Sequence, residues 1–356
     1  MKILLLMKRF STNRDMILEN FGREVRLFSE ISRLGHNVTV LCADQTKKER
    51  ITTKLNGMKV EIYPFGLTKF PKFLSAARKM AAENEVVIGA THPLLGLVAL
   101  LASAGKKKIV YDIRDNYEAY NFTNLPLLKK GMIPKLINNG IVRSCDLAVC
   151  AGKVLTQKIA PARGNKPIAV VPNGVNTKFF RSLNKSACRK KLSLPPKAKI
   201  IVYTGHISKE RGTDRLIEAF KIVQKNYSDA VLLLSGQIDK DININQPGIV
   251  YKELPRRKDV VIAINAADVA VVPHPENEAT KYGIPYKLLE YMACDAHIVA
   301  TAVGDVKELL KDYPQILAQP GNPEDLALRI TATIDNREKT SYNKIVTEYT
   351  WEKLAR

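Results

Sequence analysis

Short, almost purely apolar runs punctuate this chain at intervals, and few of them alternate apolar with polar residues. In the first half they are Lys2–Met7, Val38–Leu41, Val60–Tyr63, Val86–Ile88, Lys108–Tyr111, Leu147–Cys150 and Ala169–Val171. In the second half they are Ile200–Tyr203, Ala230–Ser235, Ile249–Tyr251, Val269–Val272 and Ile298–Ala300. Continuous Val/Ile/Leu runs of this length fit strands covered on both faces. Helical patterns lie between many of them, for example Gly22–Leu34, Gly212–Asn226 and Tyr286–Ala293. Strand–helix–strand repetition predicts an α/β protein with doubly wound parallel sheets. The pattern runs twice. It is interrupted over Asn176–Lys199, a polar interval holding Arg189, Lys190, Lys191 and Pro195-Pro196, which reads as a linker.

A chain of 356 residues exceeds what one core usually supports, so two domains are expected. We place an N-terminal Rossmann-like domain at 1–180 and a C-terminal one at 181–339. A last helix near 340–356 is expected to pack back on the first domain. The opening MKILLLMKRF has too short an apolar run for a signal peptide and reads as a buried first strand. No apolar stretch reaches the ~20 residues that cross a bilayer. Cys42, Cys145, Cys150, Cys188 and Cys294 are scattered and form no CxxC pair, which argues against a disulfide framework or a zinc site. The expectation is therefore a cytoplasmic protein.

Charge changes this picture. The net charge is +21, and residues 1–180 carry 29 Lys and Arg against 13 Asp and Glu, while 181–356 carry 27 against 22. The excess of the first half suggests that it faces something anionic. In Lys69–Ala82, Phe70, Phe73, Leu74, Ala77 and Ala81 share a helical face, with Lys69, Lys72, Arg78 and Lys79 mostly elsewhere. Leu125–Ile137 likewise sets Leu127, Leu128, Met132 and Ile133 beside Lys129, Lys130 and Lys135. Basic amphipathic stretches can lie on an anionic membrane surface, here the inner face of the cell membrane. Equally, both can be ordinary helices with their apolar faces packed inward. Dispersed charge without zinc ligands, a basic tail or an RNP-like aromatic pattern argues against nucleic acid.

Three stretches carry candidate chemistry. The loop Tyr203-Thr204-Gly205-His206-Ile207-Ser208-Lys209-Glu210-Arg211-Gly212 follows a buried strand and opens a helix. Gly205 permits a sharp turn, a helix N-terminus receives anions, and the planar donors of an arginine match phosphate oxygens. In Tyr282-Gly283-Ile284-Pro285-Tyr286-Lys287-Leu288-Leu289-Glu290, a turn precedes a helix whose Lys287 and Glu290 share one face. A carboxylate there suits ribose hydroxyls and the lysine suits phosphate; a plain surface ion pair would look the same. Gly22, before the first helix, allows close approach of a phosphate or sugar, though a lone glycine is a weak signal. His92, in Thr91-His92-Pro93, and Asp115 are acceptor-side candidates that a capped helix start would also explain.

In order and spacing, these stretches resemble the family 4 retaining glycosyltransferases of GT-B fold over nearly the whole chain. Further matching runs are Gly35-His36-Asn37-Val38-Thr39-Val40, Pro172-Asn173-Gly174-Val175-Asn176 with Phe179, Lys287-Leu288-Leu289-Glu290-Tyr291-Met292-Ala293, Ala302-Val303-Gly304-Asp305 with Glu308, and Tyr349-Thr350-Trp351. The resemblance implies two Rossmann-like domains facing a cleft. It also implies transfer of a hexose from a nucleotide-sugar, UDP- or GDP-linked, to a glycan or lipid-linked acceptor in polysaccharide or glycolipid synthesis, with no metal and no cofactor. By the same resemblance, His206 and Arg211 neutralise the donor diphosphate, Lys287 joins Arg211 in stabilising it, and Glu290 holds the ribose. Gly283 and Ile284 offer backbone amides to the donor, and Gly22 closes on the diphosphate. The chain departs from the family at Tyr282, where the first glutamate of a pair usually stands, at His206 in place of Arg, at Arg211 in place of Lys, at Arg114-Asp115 in place of His-Asp, and at Asp295 and His297. Two rivals follow from these departures and from the fold: a catalytically degenerate partner of an active transferase, and a nucleotide-sugar epimerase of the same shape.

Overall fold

The computed structural model describes residues 1–11, 14–46, 49–117, 132–336 and 340–356. The chain forms two compact units, Met1–Pro172 with Trp351–Arg356, and Asn173–Thr350. The crossing at Pro172 falls ahead of the boundary expected at 180. The C-terminal stretch is divided between them: the helix Asn343–Glu348 lies in the second unit and Trp351–Leu354 in the first.

In the first unit the strands run, edge to edge, Ile168–Val170, Leu147–Cys150, Lys108–Ile113, Val86–Ala90, Lys2–Lys8, Asn37–Asp44, Met58–Pro64 and Ile51–Leu55. All pairings are parallel except the last. Leu4, Leu5 and Leu6 are consecutive and fully buried, so the central strand is covered on both faces, as its unbroken apolar run requires. The antiparallel edge was missed because Ile51–Leu55 reads ITTKL and stays largely solvent-exposed. Its signal was the Asn56-Gly57 turn, both residues at positive φ (49° and 85°), the conformation a two-residue hairpin demands.

Buried ion pairs tie the carboxyl ends of these strands to the loops that follow. Arg23 is fully buried and grips Asp112 with two hydrogen bonds (3.2 and 3.1 Å) while donating to the Pro172 carbonyl at 2.6 Å. Arg9 bridges Asp15 and Asp44, at 2.6 and 2.7 Å. Removing one member of such a pair strands a buried charge at a cost of about 3–5 kcal/mol.

The second unit has the parallel order Ile249–Tyr251, Val231–Ser235, Ile200–Thr204, Val269–Val272, Ile298–Thr301 and Leu317–Ala318. The interval read as a linker is structured and belongs to this unit. Asn184 caps a helix, Lys185–Lys191, by accepting from the Ala187 amide, and Cys188 is buried beneath it. Arg189, part of the basic cluster in that polar interval, is buried and donates to the Ala266 and Pro196 carbonyls and to Asp268. Polar composition concealed a short amphipathic helix. All five cysteines are buried free thiols.

The two basic amphipathic stretches fare differently. In the helix Phe70–Ala82, Phe73, Ala76, Ala77 and Ala81 are buried, and Phe73 meets Phe65 edge-on at 4.9 Å, so most of that apolar face is spent inside the fold. Of Leu125–Ile137, residues 125–131 lie outside the described residues. The helix Met132–Ser144 that follows exposes Met132, Ile133 and Leu136. Among the described residues no helix is long and apolar enough to cross a membrane.

Candidate functional site

In the second unit's sheet the strand order reverses beside Ile200–Thr204. From there the chain proceeds outward to Val231–Ser235 and Ile249–Tyr251, then returns to Val269–Val272 on the other side. In open parallel sheets, ligands bind beyond the carboxyl ends of the strands at such a reversal. The loop from Gly205 to Gly212 leaves the first of these two strands, and Pro273-His274-Pro275 leaves the second. The two loops touch: a Cβ added to Gly212 would overlap the Pro273 carbonyl.

The helix Tyr286–Ala293 delivers Lys287 to this place. Tyr291 fixes the helix by accepting from the Thr204 amide at 3.0 Å and sharing a hydrogen bond with its hydroxyl. The Lys287 Nζ sits 3.8 Å from the centroid of the Tyr203 ring, a cation–π contact. Gly205 has φ 131°, a backbone conformation that favours glycine, and a Cβ on it would stand 2.7 Å from that nitrogen. Burial, reinforced by the positive charge of Arg211 and opposed by Glu290, pushes the Lys287 pKa well below its usual range. Arg211 is held by its own backbone turn on Ser208 and by a 2.9 Å hydrogen bond to the Ala279 carbonyl. Sequence reasoning overlooked His274, which is 4% exposed with neither ring nitrogen hydrogen-bonded among the described residues. Its only signal was a histidine framed by prolines at a strand exit. Burial first, then Lys287 and Arg211, hold its pKa well below the ordinary value.

The remaining sequence candidates of this unit are engaged elsewhere. His206 pairs with Asp239 at 2.6 Å, and its carbonyl accepts from the Tyr203 hydroxyl. Glu290, one turn along from Lys287, accepts from Arg257 at 2.6 Å, and Arg257 lies over the Phe180 ring. Tyr282 donates to Glu278 at 3.0 Å. The Gly283 amide, expected to face the donor, donates instead to the buried carboxylate of Asp305 at 2.8 Å. Ile284 is buried and its carbonyl accepts from Asn173. The structure thus gathers Gly205, Arg211 and Lys287, adds His274, and leaves Glu290 at the margin.

The first unit's sheet reverses between Lys2–Lys8 and Val86–Ala90, and polar side chains collect beyond it. Gly22 (φ 95°) is the N-cap of the helix Arg23–Arg33. Glu24 is fully buried 3.2 Å from Arg114, and burial raises its pKa. Lys8 is brought down to about 8 by burial and by Arg114. His92 caps the helix Pro93–Ser103, its Nδ1 accepting from the Leu94 amide at 3.2 Å. Asp115 is half exposed, 3.9 Å from Arg114. His92 therefore has a structural role here, and Lys8 and Glu24 were not singled out by the sequence reading.

Two family descriptions match the chain: Glycosyltransferase Family 4 over residues 25–179, and Glycosyl transferases group 1 over 184–348. Among curated relatives, the D-inositol 3-phosphate glycosyltransferase of Geodermatophilus obscurus is 27% identical over 211 residues, 52% of this chain and 45% of that protein. The alpha-monoglucosyldiacylglycerol synthase of Acholeplasma laidlawii is 25% identical over 233 residues, 60% of this chain and 58% of that one. The chain spans about half the length of the curated relatives it matches. Anabaena HepE, solved in complex with UDP, superposes with a TM-score of 0.69 at 16% identity, covering 100% of this chain and 93% of that one.

An uncompensated buried ammonium destabilises the fold that carries it, which gives a test independent of ligand. At neutral pH, Lys287→Met should raise the unfolding free energy by about 1–4 kcal/mol. Because the folded-state pKa of this lysine is depressed, the wild type recovers stability as pH rises toward the unfolded value of about 10.4, so the variant's advantage should shrink there. Urea unfolding at neutral and alkaline pH checks both; a Met variant less stable at every pH contradicts the burial argument.

Proposed function

Since the chain belongs to the family 4, group 1 glycosyltransferases of GT-B fold, we propose that it transfers a hexosyl group from a nucleotide-sugar to a glycan or lipid-linked acceptor, with retention at the anomeric carbon. The observation that carries this reading is the pairing of Lys287 with Arg211 at the sheet reversal of the second unit, where Glu290, the nearest acidic group on the same helix, is already engaged by Arg257. Such a place favours a polyanion, and a nucleoside diphosphate is the polyanion that this fold's Gly205 turn can admit closely. UDP is bound by HepE, which has the same fold. We take UDP or GDP as the nucleotide of the donor.

In this reading the bond between the anomeric carbon and the diphosphate breaks while the acceptor oxygen bonds to the same face of the sugar. The acceptor's proton passes to an oxygen of the departing diphosphate. The protein's task is to stabilise the charge that grows on that leaving group. Lys287 and Arg211 do so from fixed positions, anchored by Tyr203 and by the Ala279 carbonyl, with no reorganisation at the moment of reaction. Glu290, which also holds Arg257, receives the ribose hydroxyls. No metal or cofactor is assigned a role.

The acceptor is proposed to be lipid-linked or a surface glycan, presented at the inner face of the cell membrane. The support is the strong positive charge of residues 1–180 together with exposed Met132, Ile133 and Leu136 beside Lys135. A glycolipid product is the named activity of the Acholeplasma relative.

Arg211→Ala and Lys287→Ala should each lower turnover by about 10²–10³-fold, as loss of one preset donor does elsewhere. Stopped donor hydrolysis and acceptor-transfer assays with UDP- and GDP-sugars measure this; full turnover in both variants overturns the assignment. Donor conversion without acceptor would mark the epimerase, and tight donor binding without turnover the degenerate partner. On the membrane side, wild-type protein should sediment with vesicles containing anionic lipid and release when Met132, Ile133 and Leu136 are all changed to Ser. Equal, negligible binding to anionic and neutral vesicles removes the membrane from the account.

A further inference from the structure

His274 is a buried imidazole at the exit of the strand Val269–Val272. It lies on the rigid segment Pro273-His274-Pro275, whose path is pinned when the Thr301 hydroxyl donates to the His274 carbonyl at 2.6 Å. Thr280 donates to the next carbonyl, that of Pro275. Backbone and prolines together leave the ring little freedom to seek a partner elsewhere. Yet Nδ1 and Nε2 are both buried, and neither has a hydrogen-bond partner among the described residues. Leaving a donor and an acceptor unmade in a protein interior is costly. An apolar residue of similar size would avoid that cost, so the ring's presence calls for a partner that arrives from outside.

Its place in the fold says which partner. The segment leaves Val269–Val272, one of the two strands that flank the sheet reversal, and the Gly205–Gly212 loop leaves the other. Lys287 and Arg211 are the charges that act on the ring most strongly. Burial first, and these two charges after it, keep the ring uncharged, with a proton on one nitrogen and none on the other.

We propose that His274 is a donor-site residue whose ring N–H hydrogen-bonds an oxygen of the nucleotide diphosphate, completing with Arg211 and Lys287 a three-sided diphosphate cradle. This rests on the donor-site reading and adds to it a neutral member that the sequence motifs did not contain. The neutral ring suits the position. It supplies a directed hydrogen bond without adding a third positive charge to a buried pair that already repels itself.

The test compares wild type, His274→Leu and His274→Asn by calorimetric titration with UDP, GDP and ADP and with the matching monophosphates. His274→Leu should unfold at a temperature no lower than wild type, because an unsatisfied ring has been replaced by an apolar one. It should bind the preferred diphosphate about tenfold more weakly, while its affinity for the monophosphate stays near that of wild type. His274→Asn, which keeps an N–H donor, should recover most of the diphosphate affinity. Wild-type diphosphate affinity in the Leu variant overturns the proposal, as does an equal loss for monophosphate and diphosphate. Failure of the wild type to bind any of the three diphosphates would instead bring down the donor-site reading itself.

Discussion

Lys287 has its ammonium group in the interior, against the face of Tyr203 and close to the backbone of Gly205, and the second unit is arranged around that fact. A buried charge of this kind is costly unless something repays it. Neighbouring residues do so only in part. The Tyr203 ring offers its negative face, Glu290 acts from one turn away but is claimed by Arg257, and Arg211 makes matters worse. Each of these contacts narrows what else can occupy the site. Gly205 must lack a side chain, Tyr203 must keep its ring in place, and Tyr291 must hold the helix that brings the lysine in. The remaining imbalance is of the right sign and location for a diphosphate, whose arrival would let the lysine take up its full charge.

In the first unit, buried charge is balanced and serves position. Arg23 with Asp112, and Arg9 with Asp15 and Asp44, are complete pairs that fix the loops beyond the central strands. Lys8, Arg114 and Glu24 stand just past them in a less settled arrangement, with a lysine brought down to about 8 and a carboxyl pushed up. Perturbed groups at a sheet reversal mark a candidate binding region. His92 and Asp115, read from the sequence as acceptor-side residues, sit here as a helix cap and a partly exposed carboxylate.

The architecture was legible because parallel strands buried on both faces leave long apolar runs: Leu147–Cys150, Ile249–Tyr251 and Val269–Val272 coincide with the observed strands. The edge Ile51–Leu55 escaped because half-exposed edge strands carry no such run, and its Asn-Gly turn was passed over. The helix Lys185–Lys191 escaped because its buried face includes an arginine, which composition counts as polar. In the site, Gly205, Arg211 and Lys287 were visible as glycine and cation at strand and helix ends. Partnerships were not. That Gly283 would spend its amide on Asp305, that His206 would pair with Asp239, and that Glu290 would meet Arg257 all depend on residues 22 to 33 positions away. His274 belongs to the same class, since its significance lies in partners it lacks, which no local pattern records.

The central claim is that a diphosphate supplies what Lys287 lacks, and proton linkage tests it most directly. Titrating UDP or GDP into the protein in buffers of different ionisation heat, across about pH 7 to 10, counts the protons taken up on binding. Net uptake is expected at the alkaline end of that range and should be lost in Lys287→Met. Tight binding without proton uptake, or uptake that persists unchanged in the Met variant, would contradict it.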